Sequence, residues 1–438
     1  MTLTTPITVV RGRFLDIQKT VSQAQDIIDQ VRYIEDGVLI AKQGQIRWFG
    51  SWDDAQAHLP ANVEIQHYPE QLIIPGMIDT HIHFPQTEMV GAYGEQLLSW
   101  LNTYTFPTEI QFQDPSYAQK IAEFFIQELL KNGTTTALVF CTVHPESVDA
   151  LFEAAAQQQM RLIAGKVMMD RHAPEALCDT AESAYEDSKA LIGKWHGQGR
   201  ALYAITPRFA PTSTPEQLER AGQLKAEFPD VYVHTHLSEN KDEIAWVKDL
   251  FPEQKGYLDV YHHYGLTGNR SVFAHCVHLE DQEWQCMHET DSTIAFCPTS
   301  NLFLGSGLFP LKKTWQQQVK VGLGTDIGAG TSFSLLQTVN EAYKVQQLQG
   351  DKLSAFESLY HATLGGAKAL DLDDKLGNFN VGKEADFVVL NLKPTALQQL
   401  RQSRAKSLED SLFALFTMGD DRNIEATYIY GQKAYSQS

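Results

Sequence analysis

A regular alternation of apolar and amphipathic segments fills the middle of this 438-residue chain and constrains its fold more than any other feature. From about Leu72 to Leu370, short apolar runs typical of β-strands alternate with stretches of helical periodicity. The predicted strands are Leu72–His83, Thr135–Cys141, Arg161–Met169, Ala201–Phe209, Val231–Leu237, Ser271–His275, Thr293–Phe296 and Val319–Asp326. The helix-like segments include Tyr117–Lys131, Val148–Gln159, Glu216–Ala226 and Gln282–Glu289. Eight such units favour a closed (β/α)8 barrel of the TIM type over an open parallel sheet.

The two ends of the chain differ in pattern from the middle and resemble each other. Their predicted strands are Ile7–Val10, Gly37–Ala41, Ile46–Phe49, Asp386–Leu390 and Ala426–Tyr430. The second and third of these strands are expected to form a hairpin. We therefore expect residues 1–71 and 371–438 to form one small composite β-sandwich domain beside a barrel of residues 72–370, in a protein of the α/β class.

The charge of the chain limits the partners that its surface can bind. Lys and Arg total 35 and Asp and Glu total 54, which gives a formal net charge of −19. Nucleic acids and anionic membranes are bound through clustered basic residues, so neither is an expected partner. The sequence shows neither a signal peptide nor a membrane-spanning run, and its five cysteines form no CxxC pair. We expect a cytoplasmic protein with reduced thiols.

The sharpest chemical signal is the run IIPGMIDTHIH, which ends the first predicted barrel strand at His83. Residues two apart in a strand face the same side, so His81 and His83 point together. Active sites of (β/α)8 enzymes lie at the carboxyl ends of the strands. Two imidazoles with this spacing can bind one divalent metal ion, so the sequence predicts a metal site at this position.

Three later predicted strands end in groups of matching chemistry. Strand five ends in HTHLSE, strand six ends at His275 and strand eight ends at Asp326. On strand five, His234 and His236 face the same side, and His236 is favoured because it lies nearer the strand end and begins a His-x-x-Glu run. Imidazoles with one carboxylate suit zinc, with iron as an alternative.

Motifs for several other chemistries are missing from the sequence. It contains no GxxxxGK[ST] phosphate loop and no HExxH metalloprotease helix. It also lacks the PCxxC motif of the other class of zinc deaminases and the GxSxG motif of serine hydrolases. These absences leave the histidine and aspartate constellation as the main functional signal.

This constellation resembles that of the amidohydrolase superfamily, which has HxH on strand one, His on strands five and six and Asp on strand eight. Within the superfamily, the run HFPQTEMVGAYGEQLLSWLNTYTFPTE from His83 to Glu109 closely resembles the guanine deaminases. Similar segments follow at TPRFAP (206–211), HLSEN (236–240) and GTD (324–326). The resemblance extends from about Leu72 to the end of the chain, and the flanking β segments resemble the composite domain of that superfamily.

The resemblance implies a homodimeric zinc enzyme of purine catabolism or salvage that hydrolyses guanine to xanthine and ammonia with a metal-activated water. It implies one zinc ion per chain, with Fe²⁺ possible in its place. The implied metal ligands are His81, His83, His236 and Asp326, with His275 as either a further ligand or a hydrogen-bond partner of the water. The implied substrate-binding residues are His83, Phe84, Pro85, Gln86, Arg208, Phe209, His236, Glu239 and Asp326.

The chemistry of hydrolytic deamination gives roles to two of these carboxyl groups. A base must take a proton from the attacking water, and Asp326 beside the metal suits this role. An acid must protonate the ring nitrogen and later the leaving ammonia. Glu239 suits this second role because it follows His236 by three residues, just past the strand end. Such an acid needs a pKa raised by burial or by a neighbouring charge. The expected catalytic residues are Glu239, Asp326 and His275.

Recognition of the base needs donors for O6 and N7 and a group that meets the ring edge. Arg208 at the end of strand four offers a planar pair of donors, and Gln86 can both donate and accept. Phe209 or Trp100 offers a ring for stacking. Replacement of Arg208 by Ala is expected to raise KM for guanine far more than it disturbs folding.

Two alternatives remain at this point. One is another amidohydrolase chemistry: deamination of an aminotriazine, an adenosine-type substrate or a pterin, or a ring-opening amidase. Binuclear members commonly bridge two metals with a carboxylated Lys on strand four, but Ala201–Phe209 contains no Lys, which favours a single metal. Lys166 on strand three is interpreted as structural. The other alternative is a metal-free scaffold relative, which the retained set of ligands disfavours.

Overall fold

A computed structural model describes residues 7–93 and 96–437 of the chain. Its strands are β1 (Ile7–Ile17), β2 (Val31–Lys42), β3 (Gln45–Ser51), β4 (Ile65–Pro75), β5 (Met77–His83), β6 (Thr134–Phe140), β7 (Arg161–Gly165), β8 (Val167–Met168), β9 (Ala201–Pro207), β10 (Tyr232–Leu237), β11 (Ser271–His275), β12 (Thr293–Phe296), β13 (Lys320–Leu323), β14 (Phe387–Leu390), β15 (Ile424–Ile429) and β16 (Gln432–Ser436).

The helices complete the alternation that the sequence predicts. They are α1 (Trp52–Ala55), α2 (Leu97–Trp100), α3 (Phe106–Glu109), α4 (Pro115–Lys131), α5 (Pro145–Gln157), α6 (Ala181–Trp195), α7 (Pro215–Glu227), α8 (Lys241–Leu250), α9 (Tyr257–His263), α10 (Asp281–Glu289), α11 (Pro298–Phe303), α12 (Leu311–Gln317), α13 (Leu335–Leu348), α14 (Ala355–Ala362), α15 (Leu364–Ala369), α16 (Ala396–Gln402) and α17 (Leu408–Met418). The 3-10 turns are Ala24–Gln30, Phe84–Met89, Ile110–Gln113, Glu175–Leu177, Ala210–Thr212 and Asp421–Asn423, and Leu101–Thr105 is a π-helical turn.

The strands of the middle form a parallel barrel. Among the described residues, hydrogen-bonded neighbours follow the order β5, β6, β7, β9, β10, β11, β12, β13, and the two-residue β8 pairs with β9. The first and last strands meet, because Thr80 Oγ1 donates to the carbonyl of Leu323 over 2.9 Å. Beyond β13, the amide of Asp326 donates to the carbonyl of His81, also over 2.9 Å. The predicted (β/α)8 barrel is thus confirmed.

Two of the predicted strands are each divided in two. The run Leu72–His83 breaks at Gly76 into β4 of the terminal sheet and β5 of the barrel. A Cβ on Gly76 would lie 2.0 Å from the Oγ1 of Thr135, so a glycine is required where the chain passes from one sheet to the other. The run Arg161–Met169 divides at Lys166 into β7 and β8, and both pieces pair with β9.

Both ends of the chain contribute to a second sheet. Its strand order is β16-β15-β14-β4-β1-β2-β3, so β4 lies at its centre, parallel to β1 and antiparallel to β14. The predicted hairpin is formed by β2 and β3. The two β-rich ends therefore form a separate sheet, as expected, and this sheet includes Leu72–Pro75, which the sequence assigned to the barrel. The domain bounds stay predictions.

Apolar burial explains why the barrel forms. Its strands are buried along nearly their whole length, and one interior layer contains Ile78, Leu138, Ile163, Tyr232 and Val272. The outer helices pack an apolar stripe on the strands, and each fully buried large side chain contributes about 1.5–3 kcal/mol. In the described parts of the chain, no helix is both long enough and apolar enough to cross a lipid bilayer.

Candidate metal centre and active site

Four predicted ligands converge at the carboxyl ends of the barrel strands. The Nε2 atom of His83 lies 3.2 Å from the Nε2 of His81 and 3.2 Å from the Nε2 of His236. One carboxylate oxygen of Asp326 lies 3.1 Å from the Nε2 of His81 and 3.3 Å from that of His83. The Nε2 of His275 lies farther away, 3.7 Å from the other carboxylate oxygen.

These separations fit a shared metal ion. Ligand atoms bound at 2.0–2.1 Å around a tetrahedral zinc ion are about 3.3 Å apart. Imidazole nitrogens that face one another at 3.2 Å either share a proton in a hydrogen bond or, when both protons lie on Nδ1, are held together by a cation between their lone pairs. The donor set of three imidazoles and one carboxylate is one that zinc and iron both accept. The chemistry of the cluster therefore matches a single divalent ion.

Hydrogen bonds on the far side of three rings fix which nitrogen faces the cluster. His236 donates from Nδ1 to the carbonyl of Arg208 over 2.7 Å, and His275 donates from Nδ1 to Oδ1 of Asn301 over 2.8 Å. The Nδ1 of His81 lies 2.7 Å from the Nε2 of His234. With the proton held on Nδ1, each ring presents the lone pair of its Nε2 to the centre.

The backbone is strained where two of these groups leave their strands. His275 has φ 71° and Asp326 has φ 52°, a left-handed conformation that is uncommon for residues other than glycine. Hydrogen bonds fix the backbone next to Asp326, because the buried carboxylate of Asp79 accepts from the amide and the hydroxyl of Thr325. Strain of this kind costs about 1–3 kcal/mol and is typical of functional sites.

Burial keeps the imidazoles neutral. It lowers the pKa of His83 to about 3 and lowers that of His81. It also lowers the pKa values of His234 and His236 well below their ordinary range. Burial alone would raise the pKa of Asp326, but the neighbouring histidines hold it well below the ordinary value. The cluster thus combines neutral nitrogen donors with an ionised carboxylate, which are the states that bind metal.

Glu239 also contacts His275, and the pKa of its carboxyl is shifted in the opposite direction to that of Asp326. Its Oε2 atom lies 3.5 Å from the Nε2 of His275, and its Oε1 accepts from the hydroxyl of Ser306 over 3.1 Å. Burial, reinforced by the charge of Asp326, raises the pKa of Glu239 to about 8. Two carboxyl groups with separated pKa values therefore share one site, as an acid and base pair requires.

A second buried glutamate, Glu243, accepts a hydrogen bond from the backbone of Glu239. It accepts from the backbone amides of Glu239 and Asn240 at 3.0 and 3.1 Å and from the hydroxyl of Tyr257 at 2.8 Å. Burial, together with the charge of Glu239, raises the pKa of Glu243 to about 7. Glu243 carries no functional motif in the sequence, although its position as the third residue of α8 matches a helix-capping pattern.

The cluster of histidines and aspartate adjoins a cavity that is lined by most of the predicted pocket residues. The cavity is lined by His83, Gln86, Leu97, Trp100, Leu101, Arg208, Phe209, His236, Glu239, Glu243, His275, Leu304, Asp326 and Ala329. Two predicted pocket residues, Phe84 and Pro85, are buried elsewhere and do not line it. The ring of Phe84 packs edge-on against Phe112 at 5.0 Å, so the assignment of this side chain to the pocket is corrected to the core.

One end of the cavity carries an arginine held by a buried carboxylate. The NH1 atom of Arg208 donates to both oxygens of Glu109, at 3.0 and 2.8 Å, and both side chains are buried. The amide nitrogen of Gln86 donates to the same carboxylate over 3.2 Å. Glu109 has no predicted role, because it lies between predicted strands and carries no motif of its own. Its only signal was its place at the end of the similar run that begins at His83.

Lys166 does not line this cavity, and its ammonium is paired with a carboxylate. Its ammonium lies 2.5 Å from a carboxylate oxygen of Asp179 and donates to the carbonyl of Val167 over 3.3 Å. The geometry agrees with the interpretation of Lys166 as a structural residue.

Known proteins are similar to this chain in both sequence and fold. The model of the amidohydrolase family matches residues 72–434. The guanine deaminase of Escherichia coli (strain K12) is 62% identical over 429 residues, which are 98% of either chain. A solved structure of E. coli guanine deaminase superposes with a TM-score of 0.96 at 60% identity, covering 99% of this chain and 100% of that one. A crystal structure of guanine deaminase from C. acetobutylicum with guanine bound in the active site gives a TM-score of 0.88 at 31% identity, covering 98% and 100%.

Proposed function

The chain belongs to the amidohydrolase family, and we propose that it is an enzyme that hydrolyses guanine to xanthine and ammonia. One observation carries the proposal: a cluster of metal-binding groups opens into a cavity that has a buried acid, Glu239, at its side and a paired arginine, Arg208, at its end. Full-length similarity to guanine deaminases supports guanine over the triazine, adenosine-type and pterin alternatives.

We propose that His81, His83, His236 and Asp326 hold one zinc ion, with iron as the alternative. When bound, such an ion lowers the pKa of a water molecule towards neutrality and so supplies a nucleophile. His275 lies 3.5 Å from Glu239 and 3.7 Å from Asp326, and it belongs to a second group of possible ligands with His81, Cys297 and Asp326. It is therefore proposed as either a further ligand or a hydrogen-bond partner of the water.

The two carboxyl groups of the site divide the proton transfers. Asp326 is ionised and accepts a proton from the attacking water, whose oxygen adds to the ring carbon that bears the amino group. Glu239 is protonated near neutral pH and delivers its proton to the adjacent ring nitrogen. The hydroxyl of the adduct then gives its proton to Glu239, which protonates the leaving amino group, so that the carbon–nitrogen bond breaks, ammonia is released and the carbonyl of xanthine forms. The proton held by Asp326 then restores Glu239, and both carboxyl groups return to their starting states.

Arg208 and Gln86, which line the same cavity, orient the base. Arg208 has donors for O6 and N7, and Gln86 meets the ring edge with an amide that both donates and accepts. Trp100 and Phe209 both line the cavity and offer apolar ring surface to the base. A flat, neutral heterocycle with carbonyl and amino substituents suits this mixture of polar edges and apolar faces.

The test is an assay of the purified, metal-loaded protein against guanine, adenine, a pterin and an aminotriazine. Guanine is expected to give equal amounts of xanthine and ammonia, with turnover that is lost on chelation and restored by zinc. Metal analysis is expected to give one ion per chain. Ammonia from another heterocycle without turnover of guanine would refute the proposed substrate. A cytoplasmic location and a homodimer, both implied earlier, stay predictions.

A further inference from the structure

Glu109 ends helix α3 at the edge of the proposed base pocket and contacts two of its polar residues. Its side chain is fully buried. Both of its oxygens accept hydrogen bonds from the NH1 of Arg208, and one of them also accepts from the amide nitrogen of Gln86. Three buried polar groups joined by direct hydrogen bonds in this way are energetically coupled.

This network fixes which donors and acceptors remain for a ligand. A carboxylate only accepts, so Gln86 must turn its NH2 group towards Glu109. Its amide oxygen then accepts from the backbone amide of Gly328 over 3.2 Å. Arg208 uses NH1 for Glu109, and within the described residues its Nε and NH2 have no hydrogen-bond acceptor. These donors are therefore left for a ligand in the cavity that Arg208 lines.

The network also sets the charge at this end of the pocket. A guanidinium alone would favour an anionic ligand, but the charge of Arg208 is offset by a carboxylate at 2.8 Å. The pair is almost completely buried, so solvent and salt screen it little. This end of the pocket consequently offers hydrogen-bond donors without net positive charge.

We propose that Glu109 is a specificity-determining residue that makes the pocket select a neutral oxopurine over an anionic one. This inference rests on the proposed function. Guanine is neutral near pH 7, whereas its hydrolysis product, xanthine, is an imide that loses a proton more readily. A pocket whose arginine is neutralised binds the substrate and releases the more acidic product, so Glu109 limits inhibition by product.

The test compares wild-type protein with Glu109→Gln, which has nearly the same shape and lacks the charge. The variant is expected to raise KM for guanine at least about tenfold while kcat changes less, because the orientation of Arg208 and Gln86 is lost. Inhibition by xanthine is expected to become at least about tenfold stronger and to strengthen as the pH rises through the ionisation of xanthine. A loss of packing alone would weaken the binding of both purines and create no such pH dependence.

Two further variants complete the test. Glu109→Asp keeps the charge, and is expected to raise KM while its inhibition by xanthine follows the wild-type pH profile. Glu227→Gln removes one charge from the exposed face of α7 and should change neither quantity. Metal content and thermal unfolding show whether Glu109→Gln folds. If it does not, the inference is overturned when the pH dependence of inhibition by xanthine in Glu109→Asp differs from that of wild type.

The outcomes separate this inference from the proposed function. Wild-type protein that does not release ammonia from guanine refutes the proposed function. Wild-type turnover of guanine combined with an unchanged KM and an unchanged xanthine profile in Glu109→Gln refutes only the role of Glu109.

Discussion

The Nδ1 atom of His81 lies 2.7 Å from the Nε2 of His234, inside the barrel and behind the candidate metal centre. When the Nε2 of His81 binds a metal ion, as proposed above, its proton lies on Nδ1 and is donated to the Nε2 of His234. The two histidines of strand β10 therefore differ in position, although they face the same side. His236 contributes to the cluster itself, whereas His234 orients a member of that cluster from behind.

Replacement of His234 by Ala is expected to weaken metal binding. Loss of a hydrogen bond to a ligand imidazole typically lowers metal affinity about 10- to 100-fold. Competition with a chromophoric chelator measures this affinity directly. His234→Gln, which keeps a hydrogen-bond acceptor, is expected to recover most of it. Unchanged affinity in His234→Ala would show that His81 is oriented by packing alone.

Replacement of Glu239 by Gln is expected to leave metal content unchanged and to lower kcat at least about 100-fold, since an amide cannot deliver the proton. The raised pKa of Glu239, about 8, also predicts a pH dependence. The acid is present below that pH and is lost as the pH rises through it, so wild-type kcat should fall on the alkaline side. Steady-state rates from neutral to alkaline pH test both statements. Near-normal turnover by the variant would remove Glu239 from the mechanism.

Replacement of Arg208 by Ala is expected to raise KM for guanine and also to destabilise the fold. The sequence suggested an effect on KM with little disturbance of folding, but the buried carboxylate of Glu109 would be left without its partner. Breaking a buried ion pair in this way costs about 3–5 kcal/mol. Urea unfolding measures the loss. The double variant Arg208→Met with Glu109→Leu should regain stability and keep the high KM. Full stability in Arg208→Ala would contradict this account.

Glu384 is expected to stabilise the junction between the terminal sheet and the barrel. Its carboxylate lies 2.5 Å from the guanidinium of Arg161 and 2.5 Å from that of Arg200. Burial alone would raise its pKa, but the two arginines lower it below the ordinary 4.5. The stabilisation is therefore complete above pH 4.5 and is lost as the pH falls through the lower folded value.

Thermal unfolding from neutral to acidic pH checks this prediction. Glu384→Gln should unfold at a lower temperature than wild type at neutral pH, and the difference should shrink as the pH falls below 4.5. Glu64→Gln, on an exposed residue of the same sheet domain, should match wild type throughout. A constant difference across this pH range would show that the ion pairs do not account for the effect.

Periodicity in the sequence predicts the barrel, and it also predicts that the histidines and the aspartate at the strand ends lie together; that they bind a metal ion stays a prediction. Residues two apart in a strand share a face, and the carboxyl ends of parallel strands meet, so His81, His83, His236 and Asp326 could be assigned before any coordinates were known. Strand boundaries were less accurate. The break at Gly76 depends on the approach of Thr135, a tertiary contact without a local pattern.

The sequence does not predict the residues whose role is to hold another functional side chain in position. Glu109 and Asn301 each hold a predicted group in position from segments outside the strands. Neither belongs to a periodic pattern, and each is recognisable only by what it contacts. Phe84 shows the converse: it follows His83 directly within a similar run, yet the chain turns its ring into the core.

The central place of β4 in the terminal sheet has a consequence for synthesis of the protein. On the ribosome, β4 emerges together with β1, but its other neighbour, β14, is translated only after the whole barrel. Until then the nascent chain exposes an unpaired apolar edge along Leu72–Pro75, a surface prone to wrong pairing. Loss of β14 through premature termination would leave that edge open permanently, so we expect such fragments to aggregate even when their barrel sequence is complete.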